Sequence, residues 1–294
     1  MSEYCIYEKD KEKKIATIVF NRPEKLNSAM TDHWEEIKAR VMEAEHDEDV
    51  KVIIFKGAGR CFGTGHDVAD LGKHHGWSSD PKARRPSQRR RMAFDDDVFW
   101  GRRGLLQTIL SCDKATLAQV HGYCYGGHHE LALDCDIVIA SEDAQFTHPG
   151  YRYIGPLGQI ALFFLTMGVR KTKEMMLTGK PLTAEEAAEC GLINKMVPAD
   201  QLEEEVQKMA ELIARQPFDA IVLGKSIFEV ALDVMGVGAA CTAGYIAHTL
   251  QTNIRYEPDE FNLFKAKQER GLKGAFAERE ARYANAPLVD KKPK

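Results

Sequence analysis

The chain has 294 residues, 44% of them apolar and 29% charged, with a formal net charge of -4. That balance excludes a disordered or fibrous protein and leaves no general positive field to gather nucleic acid or an anionic membrane. Seven scattered cysteines without CxxC spacing argue against a disulfide framework or a zinc site, and no apolar run approaches the roughly 18 residues of a membrane helix. A cytoplasmic location is expected.

Taken in order, the β-branched run at 14–20 ends in Asn21-Arg22-Pro23 and predicts a strand entering a loop. Thr31 or Asp32 then caps a helix whose apolar face is Trp34, Ile37, Val41 and Met42. Residues 50–57 predict a buried strand running into a glycine-containing loop at 57–65. The same grammar returns as a strand at 116–122, a helix opening at Gly126-Gly127, and a strand at 136–140. Two such units predict parallel α/β architecture. Between them, 74–103 carries Arg84-Arg85, Arg89-Arg90-Arg91 and Asp95-Asp96-Asp97. Its apolar content is too low for core and predicts a mobile, solvated loop leading into a helix through Phe94, Val98, Phe99, Leu105 and Leu106. From Leu202 the pattern is helical, broken at Pro217, so the chain divides into a core at 1–200 and a helical region at 201–294.

The run from His121 to Asp136 carries the chemistry. A strand delivers the chain to paired glycines, and a helix begins there with unpaired N–H groups that favour negative charge. Glu130, one turn in, is placed as a general base or acid, or simply as a carboxylate at a helix N-terminus. A second glycine turn spans Arg60 to Val68, and the His66 N–H within it is a candidate second donor to the same oxyanion. Such donors are each worth about 3–4 kcal/mol of transition-state stabilisation. His128 and His129 diverge on a helix, so no metal site is expected of them.

Five ordered segments resemble the crotonase (enoyl-CoA hydratase/isomerase) superfamily. They are Asn21 to Ser28, Phe62 to Asp67, Gly122 to Asp136, Thr178 to Ala187, and Gly191 to Asn194 followed by Val197-Pro198. The resemblance implies an α/β spiral of ββα units, a C-terminal helical region that trimerises, and often a dimer of trimers. It also implies an acyl-CoA thioester substrate, with no separate cofactor. By that resemblance the thioester-oxygen donors fall on the N–H groups of His66 and Gly127, and Glu130 on a catalytic glutamate. CoA contacts fall on Lys25, Leu26, Asp67, Val68, Ala69, Arg279 and Arg282.

One departure is pronounced: where the two-glutamate hydratases place a second carboxylate after a proline, this chain has His148-Pro149-Gly150. His148, Tyr151 and Tyr153 are the candidates to take over proton delivery or to line a reshaped acyl pocket with Gly150. The leading expectation is an atypical enoyl-CoA hydratase with one catalytic glutamate. The alternatives are a double-bond isomerase, a hydrolase of a carbon–carbon bond in a β-oxo acyl-CoA, or a binding module without turnover that holds RNA or protein through Arg84 to Arg91.

Overall fold

The computed structural model describes residues 4–77, 82, 84–152 and 158–283, so Tyr153 lies outside the described residues. The strands are β1 (Cys5–Asp10), β2 (Ile15–Phe20), β3 (Val52–Gly57), β4 (Ala115–Val120), β5 (Tyr123–Tyr125), β6 (Ile137–Ser141), β7 (Gln145–Thr147), β8 (Leu182–Thr183) and β9 (Lys195–Val197). They form a six-stranded sheet, in the order β1-β2-β3-β4-β6-β9, and a three-stranded sheet, β5-β7-β8. The larger sheet is parallel except for β1, which pairs antiparallel with β2 at the edge. Of β1 only Cys5 is buried, which is why this strand carries no periodic apolar signal.

Successive turns of the chain pass from the larger sheet to the smaller one. Thus β4 is followed by β5, and β6 by β7, with β5 and β7 paired in parallel. Isolated parallel bridges between Gly63 and Cys124, and between Ala29 and His66, continue the smaller layer into the loops after β3 and β2. The loops that carry the sequence motifs are therefore stacked side by side.

Both faces of the larger sheet are covered, as the unbroken apolar run of β3 requires. Ile53 and Phe55 face the main core, which also holds Ile18, Phe20, Ala118 and Val138. Val52 and Ile54 face Leu202, Val206 and Ala210 of helix α8 (Leu202–Ala214). Helix α1 (Thr31–Glu45) buries Trp34, Ile37, Val41 and Ala44, whereas Met42 turns outward. Its N-cap is Met30, neither Thr31 nor Asp32. The His33 ring accepts the Met30 N–H, and Asp70 of a distant loop accepts the Thr31 N–H, so the helix is capped by tertiary contact.

The charged stretch at 74–103 is not a solvated loop throughout. Helix α2 (Gln88–Val98) forms within it, and Phe99 and Trp100 enter the main core ahead of α3 (Leu105–Leu110). Arg91, Asp95 and Asp96 are buried as well, and each is paired. Arg91 donates to Gln88 and Asn253, Asp95 meets His75 and His248, and Asp96 binds Arg103 at 2.9 Å. Pairing of this kind is what lets charge enter a core that composition alone would exclude it from.

The remaining helices are α4 (Gly127–Asp134), α5 (Ile160–Met167), α6 (Val169–Thr178), α7 (Ala184–Glu189), α9 (Phe218–Val234), α10 (Val237–Gln251) and α11 (Leu263–Arg282). Helix α9 is tied to the sheet by Lys225, whose ammonium meets both carboxylate oxygens of Asp136 at 2.6 and 2.7 Å. Its outer side leaves Leu223, Ile227, Phe228, Val230 and Val234 exposed. Among the described residues no helix is long and apolar enough to cross a membrane.

The motif after β2 is held by one buried amide. Asn27 accepts the Arg22 N–H at 3.0 Å and donates to the carbonyls of Ala58 and Cys61 at 2.9 and 2.8 Å. Asn27→Ala leaves those backbone groups without their partner, and a loss of about 2–4 kcal/mol is expected. Urea denaturation of the variant against the parent protein measures it.

Candidate active site

Two glycine turns meet at the N-terminus of α4. Gly65 has a φ of +83°, and a Cβ there would lie 2.8 Å from the Gly127 nitrogen, so the close approach demands glycine. Gly126, at φ +56°, redirects the chain from β5 into α4. Around these turns the backbone is paired: Gly63 N–H donates to Tyr123, Tyr125 N–H to Gly63, and Gly126 N–H to Thr147. The N–H groups of His66 and Gly127 have no acceptor among the described residues. Both residues line a cavity of about 630 Å³.

His128 holds the two turns together. Its Nδ1 accepts the Gly65 N–H at 3.0 Å, and its Nε2 lies 3.1 Å from the Tyr4 hydroxyl. That hydroxyl donates to the Asn27 carbonyl at 2.6 Å, so the His128 proton resides on Nε2 and the ring is neutral. Burial, with a smaller contribution from His66, pushes the His128 pKa down to about 3. His129 is enclosed by Phe146 and Phe163, and burial pushes it to about 3 as well. Neither histidine of this pair turns into the cavity.

The His66 ring stacks on Trp100 with centroids 5.0 Å apart and packs edge-on against Phe99. Burial, then the neighbouring His248 and His148, lowers its pKa to about 3. The ring is thus a neutral wall, and its backbone N–H is the polar group offered to the cavity.

Glu130 is fully buried one turn into α4. Trp100 Nε1 donates to both its carboxylate oxygens at 3.2 Å, and His148 Nε2 stands 3.4 Å from Oε2. The Gly150 N–H donates to His148 Nδ1 at 3.2 Å, which leaves the ring proton on Nε2, aimed at Glu130. Trp100 and His148 line the cavity, while Glu130 stands behind them. Access of the carboxylate to a substrate therefore requires the indole or the imidazole to turn. One turn further, Asp134 is buried against Gln159 at 3.2 Å. Burial, and then the neighbouring Glu130, raise its pKa well above the ordinary range.

Of the other residues expected at the site, Lys25, Leu26, Asp67, Val68, Ala69, Gly150 and Arg279 all line the cavity. The Asp67 carboxylate is already engaged by Arg22 at 2.8 Å and by the Ala69 N–H at 2.8 Å, so it shapes the wall. Arg279 lies over the Phe276 ring and pairs with Glu280. Arg282 is not at the cavity; it donates to the Asp259 carbonyl and packs on Phe261. Tyr151 is 45% exposed and off the cavity wall. Sequence reasoning missed Trp100, His248, Gln251 and Phe276, all of which line the cavity. Only Trp100 left a signal, as a large aromatic in a charged stretch.

His75, Asp95 and His248 bring ligand-capable atoms within 4.8 Å of one another. The His75 ring nitrogen and the Thr249 hydroxyl already occupy the two Asp95 oxygens, at 2.8 and 2.6 Å, so the trio reads as a hydrogen-bonded cluster and not as a metal centre.

A family model described as enoyl-CoA hydratase/isomerase matches residues 10–248. The chain belongs to that family. It is 32% identical over 266 residues to a putative enoyl-CoA hydratase, EchA13, of Mycobacterium tuberculosis, spanning 84% of this chain and 80% of that protein. A probable mitochondrial enoyl-CoA hydratase of Dictyostelium discoideum is 29% identical, over 94% of this chain and 90% of its own length. The crystal structure of an enoyl-CoA hydratase/isomerase from Xanthobacter autotrophicus Py2 superimposes with a TM-score of 0.78 at 29% identity, covering 96% of this chain and 99% of that one. The architecture described above is accordingly the crotonase fold.

The buried, neutral histidines have a consequence for stability. Unfolded, each titrates near 6.5; folded, His128 and His129 stay neutral to about 3. Below pH 6.5 the unfolded chain therefore binds protons that the folded chain refuses, and stability falls as pH drops from 6.5 toward 3. The expected slope is about 1.4 kcal/mol per pH unit for each ring. Urea midpoints at pH 7.5 and pH 5.5 test this, and equal midpoints would contradict it.

Proposed function

We propose that the protein transforms acyl-CoA thioesters through an enolate, and that its reaction is the hydration of an enoyl-CoA with one catalytic glutamate. The observation that carries this reading is the convergence of two N–H groups, on His66 and Gly127, unpartnered among the described residues, at a cavity wall backed by the buried carboxylate of Glu130. A thioester oxygen between those donors gains charge as the enolate forms, and donors set in advance stabilise that charge without reorganising. Glu130 moves the proton at the α-carbon, while Trp100 and His148 orient its carboxylate. Lys25 and Arg279 at the cavity are the cations offered to the CoA phosphates.

A second reading, double-bond isomerisation, draws on Gly150 at the cavity wall, where no side chain supplies a second acid. A shift of a proton from one carbon to another needs only Glu130. Reading the protein as a binding module finds less support, because Arg91 is buried and Arg85 donates to the Thr252 carbonyl of its own chain at 2.5 Å.

Incubation with a panel of enoyl-CoA esters in water enriched in oxygen-18 separates the two reactions. Hydration incorporates the label without releasing CoA; proton exchange with no oxygen gain would establish isomerisation instead. Glu130→Gln is expected to lower turnover about 10²- to 10⁴-fold with little change in KM.

The apolar outer side of α9 supports assembly with further copies of the chain, as a trimer or a dimer of trimers. Mass photometry should show particles in multiples of three 33.0 kDa chains. The seven cysteines, none of them in a disulfide, suit a cytoplasmic setting.

A further inference from the structure

Hydration needs two acid–base groups, one at the α-carbon and one for the water that adds at the β-carbon, and Gly150 supplies neither. The cavity wall nonetheless carries a third imidazole besides those of His66 and His148. His248, from α10, lines the cavity and stacks on Trp100 with ring centroids 3.8 Å apart, and the same indole donates to Glu130 at 3.2 Å. One aromatic ring thus links His248 to the catalytic carboxylate.

Behind His248 lies a fully buried aspartate. Asp95 Oδ2 is 3.3 Å from His248 Nδ1, and Asp95 Oδ1 accepts from His75 Nε2 at 2.8 Å. Thr249, the next residue of α10, also donates to Oδ2, at 2.6 Å. Burial opposes ionisation of Asp95, but the two imidazoles outweigh it and hold its pKa well below the ordinary carboxylate range. A charged acceptor facing Nδ1 retains the proton there, so Nε2 presents its lone pair. Nδ1 is the enclosed nitrogen of the ring, which leaves Nε2 toward the cavity. Nδ1 makes no hydrogen bond among the described residues; the Asp95 carboxylate, 3.3 Å away, is the charged group it faces, and pairs of this kind tighten when substrate binds.

We propose that His248, oriented by Asp95, is the second acid–base residue of this enzyme and does the work of the absent second carboxylate; His75 is a positioning residue for Asp95. This rests on the hydratase reading above. Written for dehydration of a 3-hydroxyacyl-CoA, the Glu130 carboxylate takes the α-proton, and the electron pair enters the enolate held by the His66 and Gly127 N–H groups. The pair then forms the Cα–Cβ double bond as the Cβ–O bond breaks. The leaving oxygen takes the Nε2 proton of the His248 imidazolium and departs as water. Hydration is the reverse: neutral His248 takes a proton from water and protonated Glu130 delivers one to the α-carbon. Between turnovers the proton returns through solvent, from Glu130 to His248 after dehydration and from His248 to Glu130 after hydration, so no oxidant or further reactant is needed.

Two assays on the full-length protein separate this proposal from the reading beneath it. Hydration of trans-2-hexenoyl-CoA uses both groups, whereas α-proton exchange of hexanoyl-CoA in heavy water uses Glu130 and the two backbone donors. His248→Ala is expected to lower the hydration kcat about 10²-fold with KM within about threefold, and to lower the ratio of hydration to exchange at least about thirtyfold. Added imidazole should restore part of the lost hydration, which it would not do for a misfolded variant. His248→Gln, closer in size and polarity, should show the same drop in ratio, and Asp95→Asn a smaller one of about tenfold, again in kcat and not in KM. Hydration kept within about threefold in His248→Ala, or hydration and exchange lost in equal measure without rescue, overturns the proposal. A parent protein that exchanges but never hydrates overturns it too, while leaving the acyl-CoA reading intact; one that does neither removes both.

Discussion

Much of this site hangs on one neutral imidazole. His128 sits one residue after Gly127 on α4, accepts the Gly65 N–H and meets the Tyr4 hydroxyl, which in turn grips the Asn27 carbonyl. The chain ahead of β1, the motif after β2 and the loop after β3 are thereby tied to a single helix turn. The relative placement of the His66 and Gly127 N–H groups follows from that tie. A charged ring in the same place would need a second acceptor that the described core does not offer, so burial requires the neutral form.

A second constraint is the handling of charge inside the fold. The stretch around α2 looks like a solvated surface because it is dense in arginine and aspartate, yet its polar groups meet partners contributed by α10 and the two residues after it. Arg91 reaches Thr252 and Asn253, and Asp95 reaches His248 and Thr249. These contacts draw α2 against α10 and fix the place of Trp100, which then contacts His66, His248 and Glu130 together. The shape of the cavity in front of Glu130 is a product of buried pairing as much as of apolar packing.

The cavity wall also divides labour between backbone and side chain. Asp67 and Asn27 are spent on holding loops, through Arg22 in the first case and through four backbone groups in the second. Beside Glu130 the polar groups offered to the cavity are directional: two backbone N–H groups and the imidazoles of His148 and His248. A site of this kind gains its strength from donors that are already placed before the substrate arrives.

The strands at β2, β3, β4 and β6, the helix opening at Gly127, the membership of the family and the positions of His66, Gly127 and Glu130 were legible in the amino-acid sequence. Each is local: β-branched runs, a glycine whose conformation no other residue adopts freely, and a carboxylate one turn into a helix leave their mark within a few residues. Most of the residues expected to contact CoA line the cavity, since they flank those motifs. Edge strand β1, the inward turn of 88–100, the loss of Arg282 from the cavity, and the meeting of Trp100, Glu130 and His148 were decided only by the tertiary structure. So was the joining of His75, Asp95 and His248, residues separated by up to 173 positions (248 minus 75). Periodicity records which face of an element is apolar, but not which distant element covers that face, and hydrogen bonds between such elements exist only once the chain has closed around them.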